Sequence, residues 1–579
     1  MAIPKMNQCA TLVEVLSELK NYDDRGIVFI KSRQNEDQFV SYKKLWQRAV
    51  TILFNLQQKG IRPGNELLFQ VSDNYDFIAV FWSCLLGGFI PVPVTVAKND
   101  SYRFKLFKVW KTLSDPYLVT SNNLGLDLKE FAVQNHLIDV FNQMEAKKLL
   151  IEELESSQGI GNIRFPDKRE IAFIQFSSGS TSDPKGVVLT HGNLMTNTKD
   201  IAIATKATTN GERFLSWMPL THDMGLIGMH LYPTVMGWQH FLMPPELFVR
   251  HPLFWLEKIS EYRATVIASP NFGYKHLLKF YSSAKIKNID LSSVRLIVNG
   301  AEPISADLCH RFMKALEPLG LKKTAMFPSY GLAEACVGVA FSEPDQAVVQ
   351  VTVDRNCLNI GDKIREIDGK SRKAAAFVGV GKPLKHCRLR IVNDDDIEVE
   401  DEVVGHIQIQ GANVTSGYYN HPQATREAIT ADGWLRTGDL GFIHDGQLVI
   451  IGRAKDIIFL NGLNFYAHDI EFICDRLDGV DSKEIAVCGV RNSRTHLDEV
   501  LCFVVFRRSL TEFLPLMERL KKHIVQQTGI GITQLIPVKN IPVTTSGKKQ
   551  RYQLGEAYQQ GQFDSVIREL AALQSEIAG

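Results

Sequence analysis

Between residues 40 and 330, short apolar runs alternate with helix-patterned segments, and this alternation limits the folds open to the chain. ELLFQV (66–71), IAFIQFS (171–177), ATVIAS (264–269) and VRLIVNG (294–300) lack the polar alternation of a half-exposed strand. Each ends in small or polar residues and is followed by a helix-like segment, and GFIPVPV (88–94) ends similarly before a polar stretch. Strands apolar on both sides belong in parallel sheets covered by helices on both faces, so the fold class is α/β.

Beyond about residue 377 the texture changes to strand and turn, with HCRLRIV, GHIQIQG and QLVIIG in succession. Between the first two, Asp394 to Glu402 carries seven acidic residues among nine. It lacks the glycine and spacing of an EF-hand loop and reads as a solvated turn between strands. After Gly452, EIAVCGV (484–490) and VLCFVVF (500–506) predict two strands and 511–528 a helix, enough for a small α+β domain. Val566, Ile567, Leu570, Leu573 and Ile577 recur at helical spacing and predict a docking face.

With 579 residues, the chain is long enough for several folded units at roughly 100–200 residues each. Lys+Arg number 65 and Asp+Glu 64, which argues against coating nucleic acid or an anionic membrane through bulk charge. A local phosphate site remains open. The nine cysteines are scattered without a Cys-x-x-Cys pair, which fits a reducing cytoplasm better than a disulfide framework or structural zinc. The N-terminus lacks a signal-peptide apolar core, so a cytoplasmic location is expected. Phe77 to Val94 is uncharged, but Gly87–Gly88 and two prolines leave too short a helix to cross about 30 Å of hydrocarbon. It predicts a buried helix turning into a buried strand.

The chemistry centres first on FSSGSTSDPKGV, Phe176 to Val187, directly after a predicted strand. Its small residues let the backbone approach a ligand, its amides and hydroxyls suit phosphate oxygens, and Lys185 adds a charge. It satisfies neither the Walker A pattern nor a nucleophile elbow, and by composition alone a Ser/Thr-rich surface turn fits equally well. Its companions decide: SWMPLTHDMGLIG (216–228), NGAEPIS (299–305), SYGLAEA (329–335), WLRTGDLG (434–441), GRAKDIIFLNGLNFYAHDIE (452–471) and PVTTSGKKQR (542–551). Together these seven segments, in order and over about 40–552, resemble the ANL superfamily of acyl-CoA synthetases, peptide-synthetase adenylation domains and luciferases.

Within it the chain looks most like the fatty acyl-AMP ligases. The resemblance rests on THDMGLIG, WLEKISEYRATVIASPNFGY (255–274), the NGLNFYAHDIE segment and an insertion within 335–378. It implies a large N-terminal domain over 1–452, built of packed sheets with flanking helices and a β-rich subdomain. A hinge at 453–456 would include Lys455, and a small mobile α+β domain would cover 457–579.

The resemblance also implies the site. Ser177, Ser178, Gly179, Ser180 and Thr181, with Lys185, would hold the β- and γ-phosphates of ATP. Glu334, with Thr181, would bind Mg²⁺ as a hard oxygen ligand. Gly300, Ala301 and Glu302 would lie along the adenine, with Tyr330 stacked on it and Gly331 beside it. Asp439 would accept the ribose hydroxyls, and Arg453 would reach ribose or phosphate. Lys548 would bridge the fatty carboxylate and the α-phosphate, where cations must offset repulsion between anions. His222 would face the substrate carboxylate; no second His or Cys stands near it at metal-ligand spacing. Catalysis is thus expected from Lys548, His222, Lys185 and Glu334, with ATP and Mg²⁺ as cofactors. Phe272 and Gly273 suit either a tunnel wall or the core.

The implied reaction is fatty-acid activation to an acyl-adenylate, then transfer to the phosphopantetheine thiol of an acyl carrier protein or a synthase carrier domain. A fatty acyl-CoA synthetase shares every motif. An amino-acid adenylation domain lacks support because its Phe-Asp-x-Ser wording is absent. A dead scaffolding member would not need Lys185, Glu334, Asp439, Arg453 and Lys548 together. No partner among nucleic acids, and no membrane insertion, is implied.

Overall fold

The computed structural model describes residues 8–578 apart from 122–125, 177–183, 208–210, 283–287, 461–462, 492–497 and 545–547. The largest sheet has nine strands. At its centre, Met326–Tyr330, Leu296–Asn299, Val266–Ser269, Phe214–Ser216, His240–Leu242 and Gly26–Phe29 pair in parallel, in that order. The runs 264–269 and 294–300 are therefore neighbours, with Val266 opposite Leu296 and Ala268 opposite Val298. Helices such as Asn271–Phe280 and Ala306–Leu316 join these strands, and the strands' burial on both faces explains their uniform apolarity.

A second parallel sheet has the order Ile90–Pro93, Glu66–Gln70, Tyr117–Thr120 and Lys148–Leu150. The uncharged stretch forms the helix Asn74–Gly87, buried from Phe77 onward, which ends at left-handed Gly88 (φ +68°) and turns into Ile90–Pro93. Among the described residues no helix is long and apolar enough to cross a membrane.

The run 171–177 departs from expectation. The next described element after it is a strand: Ile171–Phe176 pairs antiparallel with Gly186–Thr190. Val187 and Leu189 of the returning strand are buried, so the core rewards an extended return at that point.

The strand-and-turn region forms an antiparallel sheet of Cys387–Val392, Gly405–Gly411, Leu435–His444 and Gln447–Arg453. The acidic run 394–402 lies between the first two strands. The segment 335–378 is packed as well. Its hairpin Gln350–Asp354 and Ala374–Val378 buries Val351, Val353 and Phe377 in a cluster that includes Leu440, Phe442 and Tyr466.

From Ile458 onward, two clusters draw their buried residues only from the C-terminal part. They surround an antiparallel pair, Ile485–Arg491 and Asp498–Val505, extended in parallel by Gln534–Val538. The helix Leu510–Thr528 covers this sheet after a Ser509–Glu512 capping box. Along the terminal helix Asp564–Ala578, Leu570 is buried and Val566, Ile567 and Leu573 pack on these cores.

Candidate functional site

The parallel strands Leu296–Asn299 and Met326–Tyr330 end side by side, and ligands of open α/β sheets bind outside such carboxyl ends. Gly300 and Gly331 follow these strands. A Cβ on Gly300 would come within 2.8 Å of the Ser329 carbonyl oxygen, and one on Gly331 within 1.5 Å of the Val337 oxygen. Only glycine lets the chain pass there. Ala301 takes the left-handed region (φ +68°), a strained conformation for a residue with a Cβ. Glu302 turns its carboxylate onto the start of Asn271–Phe280, accepting from the Phe272 amide at 2.6 Å, and burial raises its pKa.

Tyr330 is buried and donates its hydroxyl to Asp439 Oδ2 at 2.5 Å. Arg453 Nε donates to Asp439 Oδ1 at 2.9 Å because strand register sets Asp439 directly opposite Arg453. Residues fourteen apart in sequence become one ion pair by the pairing of two strands. Asp439 makes the Arg453 guanidinium still more basic, while burial, reinforced by Asp439, drives the Tyr330 phenol far up. Arg453 keeps 44% side-chain exposure, so solvent screens part of this attraction.

Nearby, Tyr418 donates to Glu334 Oε1 at 2.9 Å, and Lys185 Nζ stands 5.0 Å from the centre of the Tyr418 ring. The Thr415 amide donates to the Glu334 carbonyl at 2.7 Å, fixing the turn that carries the carboxylate. Ser177, Ser178, Gly179, Ser180 and Thr181 lie outside the described residues. One carboxylate fits Mg²⁺ better than zinc or calcium, since Mg²⁺ takes one or two carboxylates and leaves its other positions to phosphates and water. No cluster of three or more His, Cys, Asp or Glu side chains suited to a metal occurs among the described residues.

His222 Nδ1 lies 2.7 Å from Asp223 Oδ1, and both side chains are 14% exposed. They open the π-helix Met224–Leu231, a form of helix that recurs at functional sites. Burial would raise the Asp223 pKa, but His222 and Lys548 overcome this and hold it below the ordinary carboxylate range. Asp223 is a site residue that motif reading passed over, although it stands beside His222. Tyr418, within GYYN, carried no signal at all.

Lys548 belongs to the C-terminal part, and its charge is coupled to Asp223, Asp439, Glu302 and Arg453. Burial lowers its pKa, as does Arg453, while Asp223, Asp439 and Glu302 oppose the shift. Its neighbour Lys549 donates to Glu471 and to the carbonyls of Ser482 and Ile485. On the large side, Lys275 and Lys279 reach Asp475 and Asp481. Lys455 is exposed in the short turn Ala454–Asp456, between Gln447–Arg453 and Ile457–Leu460.

A cavity of about 720 Å³, counting its open mouth, runs from Asp223, Gly300, Ala301 and Tyr330 along largely apolar walls. Phe272 and Gly273 do not line it. Gly273 instead packs against Ser269 and the Trp217 ring, and Phe272 meets Trp217 edge-on.

The profile of the AMP-binding enzymes matches residues 18–419. The chain belongs to that family. It is an adenylate-forming ligase, and its α/β architecture with a smaller C-terminal part is that of the superfamily's solved structures. Family members of this kind use ATP, typically with Mg²⁺. It is 27% identical to the medium-chain-fatty-acid–[acyl-carrier-protein] ligase JamA of Moorena producens, over 96% of each chain. It is 28% identical to the long-chain-fatty-acid–AMP ligase FadD32 of Mycolicibacterium smegmatis, over 93% of this chain and 91% of the relative. A fatty acyl-adenylate ligase structure, from work on the Escherichia coli and Legionella pneumophila proteins, superposes with a TM-score of 0.87 at 29% identity, covering 96% and 99%. A protein named as a putative acyl-CoA synthetase also matches this AMP-binding enzyme.

Proposed function

We propose that this AMP-binding enzyme is a fatty acyl-AMP ligase that delivers its acyl group to the phosphopantetheine thiol of an acyl carrier protein. The observation that carries the reading is the charge of Lys548, which is coupled to Asp223, Asp439 and Glu302, and Asp223 also lines the apolar cavity. A fatty chain fills the cavity while its carboxylate lies beside the lysine. In the first step a carboxylate oxygen attacks the α-phosphorus of ATP, and the bond to the bridging oxygen of pyrophosphate breaks. Lys548 offsets the charge of both anions as they approach. Tyr330, Asp439 and Arg453 orient the nucleotide: two oxygens of Asp439 are engaged by protein donors, and its remaining lone pairs accept from the ribose hydroxyls. Glu334 and Lys185 serve the phosphate end, Mg²⁺ there neutralising phosphate charge. His222 with Asp223 borders the carboxylate, and the serine-rich loop 177–181 holds phosphate oxygens.

In the second step the thiol sulfur attacks the carbonyl carbon, AMP departs, and no protein nucleophile is needed. A large domain over 1–452, a hinge at 453–456 including Lys455, and a small domain over 457–579 supply the movement that withdraws Lys548. The choice of carrier protein over coenzyme A draws support from the segment 335–378. Arg355, 5% exposed, bonds Asp469 at 2.8–2.9 Å, and Tyr466 donates to the Leu358 carbonyl at 3.1 Å. These ties fasten the inserted segment to the part that must turn. The test is purified enzyme with ATP, Mg²⁺, a fatty acid and, competing, coenzyme A and a phosphopantetheinylated carrier protein. Acyl-adenylate and acyl-carrier products are expected; rapid formation of acyl-CoA would sink the reading.

A further inference from the structure

The apolar cavity has a charged floor. The strands that wall it run in parallel, so their carboxyl ends share the catalytic edge and their amino ends share the opposite one. Gly300 and Tyr330 stand at the first edge, whereas Arg295 immediately precedes Leu296–Asn299 and Glu212 precedes Phe214–Ser216 at the second. Both Arg295 and Glu212 line the cavity. Arg295 donates to Glu212 Oε1 through Nη2 at 2.7 Å and Nε at 3.1 Å, and through Nη1 to the Thr205 carbonyl at 2.9 Å. Thr265, which precedes the intervening strand, donates to Glu212 Oε2 at 2.5 Å. Glu212 is 2% exposed and Arg295 17%. The pair is thus bonded across the amino ends of three adjacent strands, beneath rungs of Val266 with Leu296 and Ala268 with Val298.

We infer that the Glu212–Arg295 pair is the floor of the acyl tunnel and restricts the enzyme to medium-chain acids. This rests on the acyl-adenylate reading above. Strand length sets the tunnel length: from Leu296 to Gly300 the backbone advances about 13 Å at ~3.3 Å per residue. An extended alkyl chain with ~1.5 Å bonds spans that distance with about ten carbons. A longer chain has to displace one member of a buried pair and strand the other charge, which is strongly unfavourable.

The experiment measures pyrophosphate release by the full chain with ATP, Mg²⁺ and straight-chain acids from hexanoic to hexadecanoic. Decanoic acid should exceed hexadecanoic acid in kcat/KM by at least about tenfold, equivalent to ~1.4 kcal/mol. The double variant Glu212→Leu/Arg295→Met removes both charges together and should bring the two acids within about threefold of each other. Ala268→Leu, which fills the tunnel midway, should move the optimum to shorter acids. The floor is overturned if the natural chain uses hexadecanoic and decanoic acid equally. It is also overturned if either variant, folded by its melting curve and active on octanoic acid, keeps the original length profile. Release with no straight-chain acid at all would overturn the acyl-adenylate reading itself, and the floor with it.

Discussion

Tyr330 donates its hydroxyl to Asp439 Oδ2 at 2.5 Å, joining the end of a parallel strand in the central sheet to the antiparallel sheet. The phenol and Arg453 hold the Asp439 carboxylate in one orientation before any nucleotide arrives. Preorganised acceptors of this kind cost nothing to arrange at the moment of binding.

Asp439→Asn keeps the shape but removes the charge that Tyr330 and Arg453 surround. Hydrogen bonds to charged groups contribute about 1.5–3 kcal/mol, so the KM for ATP should rise about tenfold or more. The KM for the fatty acid should change little. Initial rates of pyrophosphate release against ATP concentration check this; equal losses for both substrates would remove the ribose role.

Lys548→Ala should abolish formation of acyl-adenylate while leaving thiol transfer from supplied acyl-adenylate within about threefold of normal. The pH dependence follows from the lowered lysine pKa, which burial causes first and Arg453 reinforces. Adenylation should therefore decline with a single alkaline ionisation below the ordinary lysine value of 10.5, as the ammonium deprotonates. Transfer should lack that ionisation. Equal loss of both half-reactions in the variant would contradict the assignment.

Arg355→Ala leaves Asp469 without its guanidinium partner and loosens the inserted segment from the C-terminal part. Breaking a buried pair by removing one partner costs about 3–5 kcal/mol, here reduced because Asp469 is 18% exposed. Limited proteolysis should cut faster around residues 453–466, and acyl-CoA should appear among the products. A deletion of 355–375 should act in the same direction. A variant as resistant and as selective as the natural chain would clear the insertion of any filtering role.

Glu471 gives a stability test. Burial pushes its pKa up, but Arg551 and Lys549 override this and bring it from the ordinary 4.5 to about 2. A carboxylate depressed on folding stabilises the native state fully above 4.5 and loses that contribution as pH falls toward 2. The C-terminal part should therefore lose melting temperature across that window. Glu471→Gln should lower stability at neutral pH and flatten the window, as followed by circular dichroism.

Much of this was legible from residues alone. Uniformly apolar runs at 264–269 and 294–300 predicted parallel strands, and they are adjacent ones. The uncharged stretch 77–94 resolved into a helix and a strand where Gly88 adopts the left-handed region. Where the reading failed, long-range packing was responsible. Nothing local distinguishes the extended return at Gly186–Thr190 from a helix start, because the buried positions of Val187 and Leu189 are decided by distant partners. Phe272 and Gly273 suited core and tunnel equally, and only the packing of Trp217 assigned them to the core.

The sequence by itself determined most of the elements, the family and the chemical types of the candidate residues, because periodicity and short motifs are local properties of the chain. Tertiary structure alone decided that Asp439 faces Arg453, that Tyr418 meets Glu334, and that Asp223 lines the cavity beside Gly300 and Tyr330. It also placed Glu212 and Arg295 beneath the cavity. Register, sheet order and burial couple residues up to hundreds of positions apart, and no local pattern encodes which of them will meet.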